Sequence, residues 1–138
     1  MKLYISYILL IFPMFTFCQK NYKYSYKDGY TFLKKAQKQI NKSNIGSAKK
    51  YLDKAKDTNY GFCGNAWADA ESKIKSIEAQ ILNAEKKYNE SLKILESISG
   101  CYYGANCIER DFLKVETLIL KLAKTKLKAR SEMLMTFL

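Results

Sequence analysis

Few side chains in this sequence combine the types and the spacing that catalysis requires. The 138 residues include no histidine, which removes the commonest general base and the Ser-His-Asp arrangement. Ser47 and Lys50, and likewise Ser72 and Lys75, form Ser-x-x-Lys patterns. The partner motifs of penicillin-binding enzymes are missing, and the chain is too short for that fold. We therefore interpret both patterns as solvated helix faces.

Carboxylates and metal ligands give no stronger indication of an enzyme. Glu78 and Glu85 are seven residues apart and would share one side of a helix. Nothing around them indicates the desolvated environment in which a catalytic carboxylate pair works. The sequence also has no glycine-rich phosphate loop and no metal-binding cysteine pair. It therefore predicts a non-enzymatic protein with no cofactor and no metal.

Three cysteines, Cys63, Cys101 and Cys107, fall in or beside two loops. In an oxidising compartment we expect a disulfide, and Cys101 with Cys107 is favoured because so short a loop costs little entropy to close. Cys63 with Cys107 is the rival pairing, since sequence does not decide connectivity. Because no Cys-x-x-Cys is present, a structural role is favoured over redox catalysis.

Residues 1–18 have the pattern of a secretory signal peptide. One basic residue is followed by an apolar run from Leu3 to Phe17, and small residues precede an expected cleavage before Gln19. The run is shorter than the roughly 20 apolar residues of a spanning helix, so cleavage is favoured over a membrane anchor. Lipid attachment at Cys18 is a minor alternative because the residue before it is large. We expect an exported protein, periplasmic or secreted.

The charge balance indicates which partners such a protein attracts. The chain has 24 basic and 13 acidic residues, a net charge of +11. Such a charge favours nucleic acid, anionic membranes and acidic protein surfaces alike. Only Arg110 and Arg130 are arginines, whereas phosphate and base recognition favours arginine over lysine. We therefore expect an acidic protein or peptide as the partner, consider nucleic acid disfavoured, and keep peripheral membrane contact as an alternative.

Alternating tyrosines follow the expected cleavage site. Tyr22, Tyr24 and Tyr26 are separated by lysine and serine, a spacing typical of a strand or an extended arm. Aromatic and basic residues interleaved in this way could stack on bases. Because no partner strand is evident nearby, we predict that residues 19–29 form a flexible arm.

From Tyr30 onward, apolar residues recur at intervals of three and four, which predicts amphipathic helices. The apolar positions that define five helices are Leu33, Ala36 and Ile40; Ile45, Ala48, Leu52 and Ala55; Trp67, Ala70, Ile74, Ile77 and Ile81; Tyr88, Leu92, Leu95 and Ile98; and Ile108, Phe112, Val115, Ile119 and Leu122. Short loops between them favour antiparallel neighbours. We expect an all-α domain over residues 30–130 and a C-terminal tail over residues 131–138.

The second and fourth helices align when the sequence is shifted by 43 residues. The positions that coincide are Ala48 with Ser91, Leu52 with Leu95, Ala55 with Ile98, and the loop Tyr60-Gly61 with Tyr103-Gly104. An internal repeat explains this, because a single helix pair cannot bury its apolar face alone and repeats stack to share a core.

The small, large and small residues Ala48, Leu52 and Ala55, with Ala36 in the helix before them, resemble a tetratricopeptide repeat (TPR). The matching positions of a second copy are Ala79, Tyr88, Ser91 and Leu95. The resemblance covers residues 29–125, as two repeats and a fifth helix that caps the stack. The period is longer than is usual for the family, and the proline expected after each second helix is missing.

The resemblance implies a concave groove lined by the first helix of each repeat, where such proteins bind extended peptides. The polar residues that would line it are Lys73, Ser76, Gln80 and Asn83 on the third helix, and Lys114, Thr117, Lys121 and Lys124 on the fifth. An acidic segment or a C-terminal carboxylate would be held there by charge-assisted hydrogen bonds. A merely solvated lysine-rich surface is the alternative.

A different class of function is also open for the end of the fifth helix. Between Lys121 and Arg130 the chain carries five basic residues and no acidic one, interleaved with leucine and alanine. A helix of this kind can lie on an anionic membrane. The alternative to an interaction module is therefore a cationic, membrane-active or toxin-like secreted protein.

Overall fold

Five α-helices account for most of the chain that the computed structural model describes, which comprises residues 22–61, 63–98 and 105–135. Their bounds are α1 Tyr26–Asn41, α2 Ile45–Lys56, α3 Gly64–Ala84, α4 Tyr88–Glu96 and α5 Ala105–Met135. The predicted all-α class with five helices is confirmed. The predicted signal peptide lies outside the described residues. None of the helices within these ranges is both long and apolar enough to cross a membrane.

The helices pack in the order of a stack. α1 and α2 contact each other, α3 contacts both of them and also α4, and α5 contacts α3 and α4. The three-residue loop from Lys42 to Asn44 connects α1 to α2, so these two helices are antiparallel neighbours. As a result, α3 lies in the middle and forms polar contacts with α1 on one side and with α5 on the other.

The first helix begins earlier than predicted. The backbone N–H and the hydroxyl of Ser25 both donate to the Asp28 carboxylate, at 3.2 and 2.6 Å, and so fix the first turn. These hydrogen bonds lower the pKa of Asp28. Asn59 N–H donates to the carbonyl of Tyr24 at 3.0 Å. The prediction of a flexible arm over residues 19–29 is therefore wrong for residues 22–29, because the loop after α2 supplies the pairing partner.

The turns that end α1 and α3 have the same backbone geometry. Ser43 and Lys86 both adopt a positive φ, 58° and 63°. The next residue donates its N–H back across the turn in each case, from Asn44 to Gln39 and from Lys87 to Leu82, both at 2.9 Å. A left-handed residue in this place satisfies the carbonyls at a helix end. The two turns are 43 residues apart, which is the interval of the predicted repeat.

Small residues allow close approach of the helices in the core. Ala36, Ala48 and Ala55 are fully buried between α1 and α2, as the sequence predicted. In the second pair, Ser91 replaces the alanine at the position of Ala48 and is equally buried. Its hydroxyl donates to the carbonyl of Ala79 at 3.1 Å. A buried hydroxyl with a hydrogen-bond partner costs little, so the polar replacement is tolerated.

The predicted core face of the fifth helix is wrong. The side chains from Ile108 to Leu122 that define this helix are 56–73% exposed. Leu113 and Thr117, on the opposite side, are buried against the stack. Thr117 accepts a hydrogen bond from Asn83 of α3, which holds this polar face of α5 inward. The helix also continues to Met135, so the predicted tail over residues 131–138 begins at least five residues too early.

Candidate functional site

The polar stripe predicted on the third helix is used mainly for contacts between helices. Ser76 is buried. Gln80 accepts a hydrogen bond from Gln37 of α1 at 2.7 Å. Asn83 donates to Thr117 of α5 at 2.8 Å. These amide and hydroxyl groups therefore fix α1 and α5 against α3, and the prediction that they line an open groove with the lysines is wrong for Ser76 and Thr117, which are buried.

Lys73, the basic member of that stripe, is neutralised by its neighbours. Its Nζ lies 2.8 Å from the Asp69 carboxylate and 5.0 Å from the ring centre of Tyr30. The Tyr30 hydroxyl donates to the same carboxylate, and burial together with the charge of Asp69 raises the pKa of Tyr30. Lys73 and Tyr30 line a cavity of about 220 Å³ with Glu109 of α5. Lys34 lines the same cavity. The carboxylates of Asp69 and Glu109 offset the charges of Lys34 and Lys73, so this place has no excess of positive charge to hold an acidic ligand.

The remaining predicted residues lie on α5 and divide between two places. Lys114 is half-buried, and it acts on Asp111, whose pKa is lowered chiefly by the hydrogen bond from Arg110 and to a lesser degree by Lys114. Lys121 and Lys124 line a cleft that also contains the turn between α3 and α4. Of the eight predicted groove residues, Lys121 and Lys124 therefore lie together in one open cleft with further basic residues.

This cleft, here called the basic cleft, has a volume of about 810 Å³. Its walls are the α3–α4 turn with the start of α4, and the second half of α5. The lining residues are Lys86, Lys87, Tyr88, Asn89, Glu90, Lys121, Lys124, Thr125, Leu127, Lys128 and Ser131. Five of these side chains are lysines and one is a carboxylate, so the cleft is strongly positive.

Neighbouring groups position part of this charge. The Nζ of Lys124 lies 3.5 Å from the carbonyl of Lys86 and 5.6 Å from the ring centre of Tyr88. This contact links α5 to the α3–α4 turn. The Nζ of Lys87 lies 3.2 Å from Oε2 of Glu85. Hydrogen bonds from Lys49 and Lys87 lower the pKa of Glu85. The charge of the cleft is therefore held by two separate segments that meet in the fold.

Three of the five lysines of the basic cleft have no carboxylate partner among the described residues. In the part of the chain that the structure describes, Lys87 and Lys128 form ion pairs, whereas Lys86, Lys121 and Lys124 do not. Lys86 is at the tip of the turn in its left-handed conformation and is exposed. Sequence reasoning missed Lys86, because a turn lysine has no periodicity. The pair Lys86-Lys87 is nevertheless visible when the two helix pairs are aligned, since the first turn has Ser43-Asn44 there.

The two described cysteines, Cys63 and Cys107, differ in whether they form a disulfide. Cys63 is free and exposed at the start of α3, so its predicted rival pairing with Cys107 is wrong. Cys107, in the first turn of α5, is disulfide-bonded. Cys101, its favoured partner, lies outside the described residues, and the pairing of Cys101 with Cys107 stays a prediction.

Neither a metal centre nor a known family provides a further guide. Within residues 22–61, 63–98 and 105–135, no three Cys, Asp or Glu side chains cluster as metal ligands would. Comparison of the chain with protein-family models, with curated proteins and with solved structures finds no match. The basic cleft and the helices around it are therefore the features of the described residues that bear on function.

Proposed function

We propose that the protein is an exported, non-enzymatic interaction module that binds acidic segments of other proteins in the basic cleft. The observation that carries the proposal is the meeting of five lysines with a single carboxylate in one open cleft. The lack of histidine in the sequence favours a binding role over an enzymatic one. The packing of α1 on α3 and of α3 on α5 supports the resemblance to tetratricopeptide repeats, whose first helices are neighbours in the same way.

The chemistry of the cleft favours carboxylates with some apolar character beside them. Lysine ammonium groups donate charge-assisted hydrogen bonds to carboxylates. Tyr88 and Leu127 add apolar surface to the same lining, against which the stem of a glutamate or a neighbouring apolar side chain can pack. Because the lysines are exposed, each contact is worth at most about 1 kcal/mol. We therefore expect modest affinity, fast association and a strong dependence on salt.

The test uses a short polyglutamate peptide as the probe and two triple variants. Replacing Lys86, Lys121 and Lys124 by alanine should weaken binding by about ten-fold or more, since three charge-assisted contacts are lost. Fluorescence anisotropy at two salt concentrations measures both the affinity and its salt dependence, and the salt dependence should fall in this variant.

The matched control replaces Lys38, Lys42 and Lys50 by alanine. These lysines are exposed around the equivalent turn of the first helix pair, and the change in net charge is the same. The control should bind the peptide nearly as the unmodified protein does. Equal loss of binding in both triple variants would show that net charge attracts the peptide without a defined site, and the proposal would fall.

The proposal of export rests on the sequence from Leu3 to Phe17 and has its own test. Intact-mass measurement of the protein from its native producer should give a chain that begins at Gln19. A chain that retains Met1 would contradict export by cleavage.

The exposed apolar side chains of α5 favour a second candidate, a protein that acts on membranes. Leu122 and Leu127 are well exposed, and an amphipathic basic helix can lie in a membrane interface. Leu122 and Leu127, however, project from different sides of the helix, and Lys126 lies between them along the exposed face. Salt-resistant binding to vesicles of phosphatidylglycerol would favour this second candidate over the basic cleft as the basis of function.

A further inference from the structure

The exposed side of α5 carries a regular apolar row that the basic cleft does not use. Its members, spaced alternately by four and three residues, are Ile108, Phe112, Val115, Ile119, Leu122, Lys126, Ala129 and Met133. We call this row the α5 seam. All of its side chains are exposed, and the five from Ile108 to Leu122 are large and apolar. Seven of the eight positions are apolar, and only Lys126 is charged.

An alternating spacing of four and three is the heptad pattern of a coiled coil. It keeps one narrow row facing a partner helix as the two helices wind around each other. The α5 seam runs for about 37 Å at 1.5 Å per residue. The opposite side of α5, with Leu113 and Thr117, packs on the stack. Continuous exposed apolar surface of this kind marks an interaction site in soluble proteins, so the seam fits a second helix of equal length.

We propose that the α5 seam pairs with the α5 seam of a second copy of this chain, with the two helices antiparallel. The charged residues beside the seam favour a second copy of the chain as the partner. The first half of α5 has Glu109 and Glu116 along one flank of the seam, whereas Arg130 follows on the same flank in the second half. The acidic half of one copy therefore complements the basic half of the other.

The heptad positions define the register of this pair. When Ile108 faces the second copy's Met133, the flank position Glu109 lies beside the second copy's Arg130, and symmetry forms this pair twice. The same register sets Phe112 against Ala129 of the second copy. A large side chain then faces a small one, which is how helices in contact fill the space between them.

A parallel pair of the same helices is much less favourable. It would place Lys126 of the seam against Lys126 of the second copy, and the flank residue Asp111 beside Glu116 of the second copy. Both contacts join like charges. In the antiparallel pair Lys126 instead faces Val115, next to Glu116 of the second copy, so its ammonium group can reach a carboxylate.

One contact of the antiparallel pair brings together like charges, Asp111 and the second copy's Glu132. Each of these carboxylates already has a basic partner in its own chain. Arg110 Nε lies 2.9 Å from Asp111, and Lys128 Nζ lies 3.7 Å from Glu132. The remaining repulsion between two compensated and exposed carboxylates is small, and it does not offset two Glu109–Arg130 pairs and the apolar seam.

Sedimentation equilibrium of the full chain, from dilute solution to tens of micromolar, tests the proposal. The unmodified protein should sediment with twice the mass of the chain at the upper end of this range. Ile119→Asp introduces a charge at the centre of the seam and should sediment as a single chain throughout. Because Ile119 is exposed, the variant should keep the helical circular dichroism of the unmodified protein. A single-chain mass for the unmodified protein, or dimerisation of Ile119→Asp, would overturn the proposal.

Charge exchange tests the antiparallel arrangement, and circular dichroism of each variant checks the fold, because Glu109 also lines the cavity that contains Tyr30 and Lys73. Glu109→Arg alone and Arg130→Glu alone should each weaken dimerisation by about ten-fold, because each places like charges together twice. The protein with both substitutions should recover the dimer, since the pairs are formed again with the charges exchanged. A double variant as weak as the single ones would contradict the antiparallel register.

Two further measurements distinguish pairing through the α5 seam from association through the basic cleft and from membrane binding. The variant with alanine at Lys86, Lys121 and Lys124 should dimerise as the unmodified protein does, because these residues lie away from the seam. Vesicles of phosphatidylglycerol that bind the unmodified protein but not Ile119→Asp, with no dimer in their absence, would show that a membrane covers the seam and would overturn the proposal.

Discussion

The two ends of this helix stack differ in whether their large apolar side chains are buried. At the N-terminal end, Tyr60 is 1% exposed. The centre of its ring lies 5.7 Å from the ring centres of both Tyr30 and Trp67. At the C-terminal end, Phe112 is 71% exposed on the outer side of α5. Both ends have aromatic and aliphatic residues in abundance. The difference teaches that an apolar stripe in a sequence predicts a helix face that packs against something. It does not predict whether that face packs in the core of its own chain or stays exposed for contact with another molecule.

The N-terminal end is closed by close packing around a glycine. A Cβ atom on Gly29 would lie 2.5 Å from Cγ2 of Thr58 and 2.7 Å from Cε1 of Tyr60. Thr58 and Tyr60 are both buried, and the Tyr60 hydroxyl donates to the carbonyl of Ala55 at 3.0 Å. The loop after α2 therefore rests directly on α1. Among residues 22–61, Tyr26 is the one large apolar side chain that is well exposed, so the described part of this end has no apolar row comparable to the α5 seam.

The largest effect is expected from the same substitution at a buried and at an exposed leucine. Leu95→Asp places a charge without a partner in the core, where Leu95 is fully buried, and should lower the free energy of unfolding by roughly 3–5 kcal/mol. Leu122→Asp, on the α5 seam, should change it by less than about 1 kcal/mol in dilute solution. Urea denaturation followed by circular dichroism measures both. If Leu122→Asp were as damaging as Leu95→Asp in dilute solution, the outer side of α5 would be core after all.

A smaller effect is expected from alanine at two helical glycines. Gly29→Ala forces the new methyl group against Thr58 and Tyr60 and should destabilise the protein by about 1–3 kcal/mol. Gly46→Ala is the control, because nothing lies within 4 Å of a Cβ there, and alanine should stabilise α2 by up to about 1 kcal/mol. Thermal unfolding compares the two variants. Equal and positive shifts in Tm would mean that the N-terminal end is loosely packed.

The smallest effect is expected from alkaline pH at the N-terminal end. Burial raises the pKa of Tyr60 from 10.0 to about 12, so this phenol keeps its proton in the folded protein at pH values where it ionises in the unfolded chain. The free energy of unfolding should therefore fall as the pH rises from 10 towards 12, by about 1 kcal/mol per pH unit.

Tyr60→Phe provides the control for this pH dependence. The variant loses the hydrogen bond to Ala55 and should be less stable at neutral pH, by about 1 kcal/mol. Its decline above pH 10 should be shallower, although some decline remains because the pKa of Tyr30 is raised in the same direction. An unchanged slope in urea titrations at several alkaline pH values would show that Tyr60 is not the buried group responsible.

Much of the fold could be predicted from periodicity and small residues. Ala36, Ala48 and Ala55 were correctly expected in the core, since alanine at helix contacts is a strong local feature. The start of α1 was missed because the tyrosine alternation hid the capping pair of Ser25 and Asp28. Serine followed three residues later by an acidic residue is a pattern that can mark the start of a helix, so this feature was available in the sequence.

The orientation of α5 could not be predicted from the same kind of pattern. Its exposed row is more apolar than its buried face, because the buried face combines Leu113 with the polar Thr117. Thr117 is drawn inward by Asn83, a contact between residues 34 positions apart that no local pattern contains. The basic cleft shares this property, since Lys86 and Lys121 come together only when the α3–α4 turn meets α5.

Hydrogen exchange measured at two protein concentrations tests the contrast between the two ends most directly. The amides from Lys121 to Met133 lie in a part of α5 whose side chains are exposed, so we expect fast exchange in dilute solution. At tens of micromolar they should become protected as the α5 seams pair, while the amides of α1 and α2 exchange at the same slow rate at both concentrations. Protection of α5 that is independent of concentration, or a change confined to α1, would contradict a stack that is closed at one end and open at the other.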